Sequence, residues 1–70
     1  MRVKVCLDTK EAVYEFVNIA TQIPHQIYLS ADNLRVSAKS LLGALYTMEW
    51  ADVWCECDKD IYTKIEKFVV

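Results

Sequence analysis

The sequence predicts an α+β fold of four strands and three helices in the order βαββαβα, and three observations carry that expectation. Residues 2–7 and 52–57 place apolar side chains at every second position, the period of a half-buried strand. Residues 12–20 and 61–68 instead repeat their apolar side chains at intervals of three and four, the period of a helix. Asp32-Asn33 stands between two short apolar alternations, and both residues tolerate the positive φ that a tight hairpin needs. One sheet face is expected to carry the helices, with the other open to water.

The first strand places Val3, Val5 and Leu7 on one face and Arg2, Lys4 and Cys6 on the other. Asp8 is expected to start the first helix, with Glu11 three residues later as in a capping box. Ala12, Val13, Phe16, Val17 and Ala20 form its apolar stripe, while Glu15, Asn18 and Gln22 are wet. Pro24 ends it by pushing the preceding residue out of helical geometry.

Residues 26–30 form the second strand, with Ile27 and Leu29 inward and Tyr28 outward, and residues 34–36 return as the third. Ser37 is expected to cap the second helix, with Leu41, Ala44, Leu45 and Met48 on its buried stripe and Leu42 and Tyr46 off it. Gly43 costs this helix about 1 kcal/mol relative to alanine, which argues for a short one. In the fourth strand Val53, Cys55 and Cys57 share one face, and Trp54 and Glu56 the other. Asp58 or Asp60 then opens a final helix built on Ile61, Ile65 and Phe68.

Seventy residues suit one domain spanning 1–70. A chain this short has a thin core, offset here by 54% hydrophobic residues with a single glycine and a single proline. The net charge of −2 gives no electrostatic footprint for nucleic acid and disfavours anionic membranes. Residues 1–7 are too short and too charged to be a signal peptide or a membrane span, so a cytoplasmic location with reduced thiols is expected. Three cysteines cannot close a disulfide framework, and Cys55-x-Cys57 with one histidine falls short of a zinc site. Neither a metal nor a cofactor is expected, and no nucleophile–base pair points to an enzyme.

The element order fits both a ferredoxin-like split βαβ and the sandwich of the phosphocarrier HPr. The run Leu34-Arg35-Val36-Ser37-Ala38-Lys39-Ser40-Leu41-Leu42 resembles the segment leading into the second helix of HPr proteins. Phe16-Val17 and Ile65-Glu66-Lys67-Phe68-Val69 resemble parts of that family's first and last helices. The resemblance spans nearly the whole chain, although only the Ser37–Leu42 run is specific. It implies an open-faced sandwich with strand order 1-4-2-3.

In HPr proteins the first helix begins at a loop carrying a histidine that accepts a phosphoryl group and an arginine that helps hold it. Here the matching stretch is Leu7-Asp8-Thr9-Lys10-Glu11, shorter and with neither residue. Asp8 and Glu11 put carboxylates where an incoming phosphate needs positive potential. His25 follows Pro24 at the far end of the helix, about 18 Å away at 1.5 Å per residue.

The resemblance therefore implies a non-enzymatic relative of the bacterial phosphotransferase-system carrier that has lost histidine phosphotransfer and binds protein partners, from that system or regulatory. The alternative is a working phosphocarrier component that uses a non-standard site. Ser40 matches the serine that a dedicated kinase phosphorylates in some HPr proteins, and also suits a plain helix cap. Leu41, Leu42 and Tyr46 match the apolar docking surface of the second helix, or are apolar residues a small fold cannot hide. With order 1-4-2-3, Cys6, Trp54 and Tyr28 are expected to line up across the open face, as a surface for a partner or a homodimer or as ordinary cross-strand packing.

Overall fold

The computed structural model describes residues 1–70. Its strands are β1 (Arg2–Val5), β2 (Ile27–Ala31), β3 (Leu34–Ser37) and β4 (Val53–Cys57), in one antiparallel sheet of order β1-β4-β2-β3. The helices are α1 (Lys10–Thr21), α2 (Leu41–Tyr46) and α3 (Tyr62–Ile65). Short 3₁₀ turns, Thr47–Glu49 and Glu66–Phe68, extend α2 and α3.

The core lies between one sheet face and the helices. Val5, Ile27, Leu29, Val53, Cys55 and Cys57 meet Val13, Phe16, Val17 and Ala20 of α1 there. Ile61, Ile65 and Phe68 close it from the C-terminal side, with the rings of Phe16 and Phe68 edge to face at 5.2 Å. Such a pair adds about 0.5–1.5 kcal/mol beyond the area it buries. The Asp32-Asn33 turn forms as the sequence indicates, with Ala31 paired to Leu34, and Asp32 alone takes a left-handed φ of 52°.

The two sheet edges are treated differently. Beside β1, Cys6 N–H donates to the Phe68 carbonyl at 2.8 Å and Val70 N–H to that of Lys4 at 3.1 Å, so the end of the chain covers that edge. β3 is the other edge and has no strand beyond it.

Several expectations shift in detail. β1 ends at Val5, and Leu7 is buried from the following loop. The cap of α1 is Thr9, not Asp8: its Oγ1 accepts the Ala12 N–H at 3.1 Å. The cap of α2 is Ser40, not Ser37: Ser40 Oγ accepts from Gly43 N–H at 3.2 Å, while Ser37 ends β3 and accepts from Lys39 N–H. The buried face of α2 is Ala44 with Thr47 just beyond it, whereas Leu41 and Met48 are 44% and 38% exposed. Gly43 explains the difference, since a Cβ there would lie 3.2 Å from Val36 Cβ. The helix approaches β3 so closely that only small side chains fit beneath it.

Candidate functional site

Three places on this frame can meet another molecule: the N-terminus of α1, the outer surface of α2 and the open sheet face. Leu7 anchors the loop before α1 in the core, and Thr9 then turns the chain into the helix with φ −130° and ψ 155°. The Thr9 hydroxyl occupies the Ala12 N–H, one of the amides a bound anion would need. Asp8 and Glu11 are exposed around this cap, with Lys10 between them. His25 lies beyond Gln22, the C-cap of α1, in the exposed connection to β2. The structure thus keeps His25 apart from every free helix amide of α1.

The surface of α2 is apolar for its length. Leu42 is 82% and Tyr46 59% exposed, and Leu41 and Met48 extend the same short segment. Ser40, Leu42, Gly43, Leu45, Tyr46 and Glu49 line a shallow groove of about 600 Å³. The Tyr46 ring stands edge-on to Trp50 at 6.3 Å, which ties the groove to the end of the 3₁₀ turn. Ser40 stands exposed at its rim with its hydroxyl engaged as the cap. Ser40→Ala is expected to cost about 1 kcal/mol of stability and Ser40→Asp close to nothing, because aspartate also caps. Urea unfolding of the two variants checks this.

The open face does not carry the aromatic row expected of it. Cys6 lies past the end of β1, and the register pairs Trp54 with Lys4 and Ser30, and Tyr28 with Glu56 and Ser37. Trp54 and Tyr28 are therefore diagonal neighbours. Each is half-buried beneath a guanidinium, with Arg2 4.3 Å from the Trp54 ring and Arg35 3.7 Å from that of Tyr28.

Glu56 sits between the two arginines. Its Oε2 accepts from Ser30 Oγ at 2.5 Å and Arg2 Nε at 3.2 Å, and its Oε1 lies 4.0 Å from Arg35 Nε. The Ser30 hydroxyl first, then Arg2 and Arg35, hold its carboxyl below the usual carboxylate value. A depressed pKa stabilises the fold above the unfolded value and is lost as pH falls through the folded one. The urea midpoint of wild type is accordingly expected to exceed that of Glu56→Gln at neutral pH, with the gap closing on acidification below pH ~4. A gap independent of pH would contradict this role.

Sequence reasoning missed this cluster and Glu49. The outward alternation of Arg2 and Glu56 was a usable signal, but Arg35 and Ser30 join only once the strand register is known. Of the cysteines, Cys6 is exposed while Cys55 and Cys57 are buried. No three His, Cys, Asp or Glu side chains are gathered as a metal site.

Fold and surfaces together define a small helix-on-sheet protein whose most exposed apolar element is α2. The fold is that of HPr. The crystal structure of HPr-C-His from Thermoanaerobacter tengcongensis superposes with a TM-score of 0.73 at 19% identity, covering 99% of this chain and 88% of that one. No protein-family model and no curated protein matches the sequence. No helix is long and apolar enough to cross a membrane.

Proposed function

We propose that this chain is an HPr-like protein that does not carry phosphate on histidine and works by binding, offering the α2 surface to a protein partner. The observation that carries the first half is the N-terminus of α1, where Thr9 takes a free amide and the exposed carboxylates of Asp8 and Glu11 surround it. A phosphoryl acceptor needs a nucleophile beside positive potential, and this helix start offers a threonine cap with two carboxylates against the single cation of Lys10. The second half is supported by Leu41, Leu42 and Tyr46, exposed together on one short helix. Leu42 and Tyr46 share the groove, and exposed apolar side chains of this kind are what protein interfaces bury at their centres. The open face is a weaker candidate, because arginines cover the rings of Trp54 and Tyr28. Ser40, at the rim of the groove, is the hydroxyl through which a kinase would control docking.

Titration of the ¹⁵N-labelled protein with inorganic phosphate tests the observation at α1. The amide resonances of Lys10, Glu11 and Ala12 are expected to stay in place through the millimolar range. A saturable shift centred on them would mean that the helix end still holds an oxyanion, and the carrier function would return to consideration.

A further inference from the structure

We propose that the α2 surface recognises a basic, amphipathic segment of its partner, seating apolar side chains on Leu42 and Leu45 and a lysine or arginine against Glu49 and the Tyr46 ring. The inference rests on α2 being the docking surface and adds the chemistry of what docks. Charge is the guide. Among the residues lining the groove Glu49 is the one charged side chain. From Ser40 to Asp58 the sequence contains no Lys, Arg or His, but four acidic residues, Glu49, Asp52, Glu56 and Asp58.

Two of those acids are already neutralised within the protein. Asp52 pairs with Lys4 at 2.9 Å, and Glu56 with Arg2. Glu49 takes part in none of the four ion pairs and is exposed. The nearest cation in sequence before the helix, Lys39, donates its Nζ to the Ile23 carbonyl at 2.6 Å, which ties it to the end of α1. The groove is therefore apolar with an unpaired anion on it.

Tyr46 and Glu49 are three residues apart across the end of α2 and its 3₁₀ extension, so they are neighbours on one surface. Trp50 holds the Tyr46 ring from one side. An exposed ring beside a carboxylate is a recognition pair for a lysine or arginine, by cation–π attraction and an ion pair together. The long aliphatic stem of such a side chain suits Leu42 and Leu45. In a two-fold dimer through this groove Glu49 would face its own like charge, and an anionic lipid surface would meet it in the same way. A basic amphipathic segment satisfies both parts of the groove.

The test uses two synthetic helical peptides with the same leucine spacing, one with lysine and one with glutamate at the polar positions. Calorimetric titration into the wild type is expected to show binding of the lysine peptide alone. Leu42→Ser and Glu49→Lys are each expected to weaken it about tenfold, the loss of one hot-spot contact worth ~1.4 kcal/mol. Glu66→Lys changes the net charge equally on an exposed residue of the last turn and is expected to leave the affinity alone. Circular dichroism confirms that the variants are folded.

Equal affinity for both peptides, lost in Leu42→Ser, would keep α2 as the docking surface and overturn the basic partner. Equal weakening by Glu49→Lys and Glu66→Lys would reduce the effect to net charge and overturn it also. Binding that Leu42→Ser does not change would place the contact elsewhere and sink both readings. No binding of either peptide, or binding of phosphatidylglycerol vesicles that depends on Leu42, would overturn the basic protein segment.

Discussion

Phe16→Ala is expected to remove about 3–5 kcal/mol of stability, the cost of emptying a fully buried aromatic site. At ~0.05–0.15 kcal/mol per residue, a chain of this length has roughly 4–10 kcal/mol in total. One substitution thus takes a third of that or more. The loss is large because Phe16 is the ring that Phe68 meets edge to face, and α3 with its 3₁₀ turn is short. Without Phe16, the C-terminal segment keeps fewer buried contacts and the cover it provides over the β1 edge loosens. Tyr14→Ala, on the exposed side of the same helix, is expected to change stability by no more than about 0.5 kcal/mol. Urea unfolding of both variants measures the contrast. A Phe16→Ala loss no greater than that of Tyr14→Ala would mean that the core is not where the structure places it.

The three thiols are expected to react in two sharply separated classes. Burial first, and then the neighbouring Cys57, pushes the Cys55 thiol up to about 12 from an ordinary 9.0. The thiolate is the nucleophile, and three pH units leave Cys55 with roughly a thousandfold less thiolate, a loss that the greater nucleophilicity of a high-pKa thiolate offsets only in part. Cys57 is also buried on the core side of β4, and Cys6 stands exposed beyond β1. A disulfide reagent at pH 8 should label one cysteine quickly in the native protein and all three in urea. Peptide mapping should find the fast label on Cys6. Rapid labelling of Cys55 without denaturant would show that β4 opens far more readily than a central strand should.

The strands were the most legible part of the sequence because a pleated strand buries every second residue. Val53, Cys55 and Cys57 alternate with Trp54 and Glu56 so regularly that the buried face of β4 follows directly. The same holds for Ile27 and Leu29. Helix starts were less legible for a local reason. Asp8 and Thr9, like Ser37 and Ser40, are all good caps, and propensity alone does not choose between residues so close together.

The face of α2 failed for a different reason. Leu41, Leu42, Leu45, Tyr46 and Met48 surround this helix with apolar side chains, so periodicity names no unique inner side. What decided it was the close approach of Gly43 to Val36, a contact between elements that no window along the chain reports. The open sheet face was hidden in the same way. Glu56 is 26 residues from Ser30 and 54 from Arg2, and they meet only through strand pairing. The HPr fold was nonetheless readable from the Ser37–Leu42 run and the element order, and the start of α1 without histidine or arginine was plain in residues 7–11.

Incubation of the pure protein with phosphoenolpyruvate and the general phosphotransferase enzyme, followed by intact mass before and after acid, is the most direct measurement of whether this HPr fold is a phosphocarrier. The proposed function predicts no added phosphate, because His25 lies beyond the C-terminal end of α1, and its N-terminal end holds the Thr9 cap beside Asp8, Lys10 and Glu11. An acid-labile gain of one phosphate would contradict that and identify His25 as a working carrier.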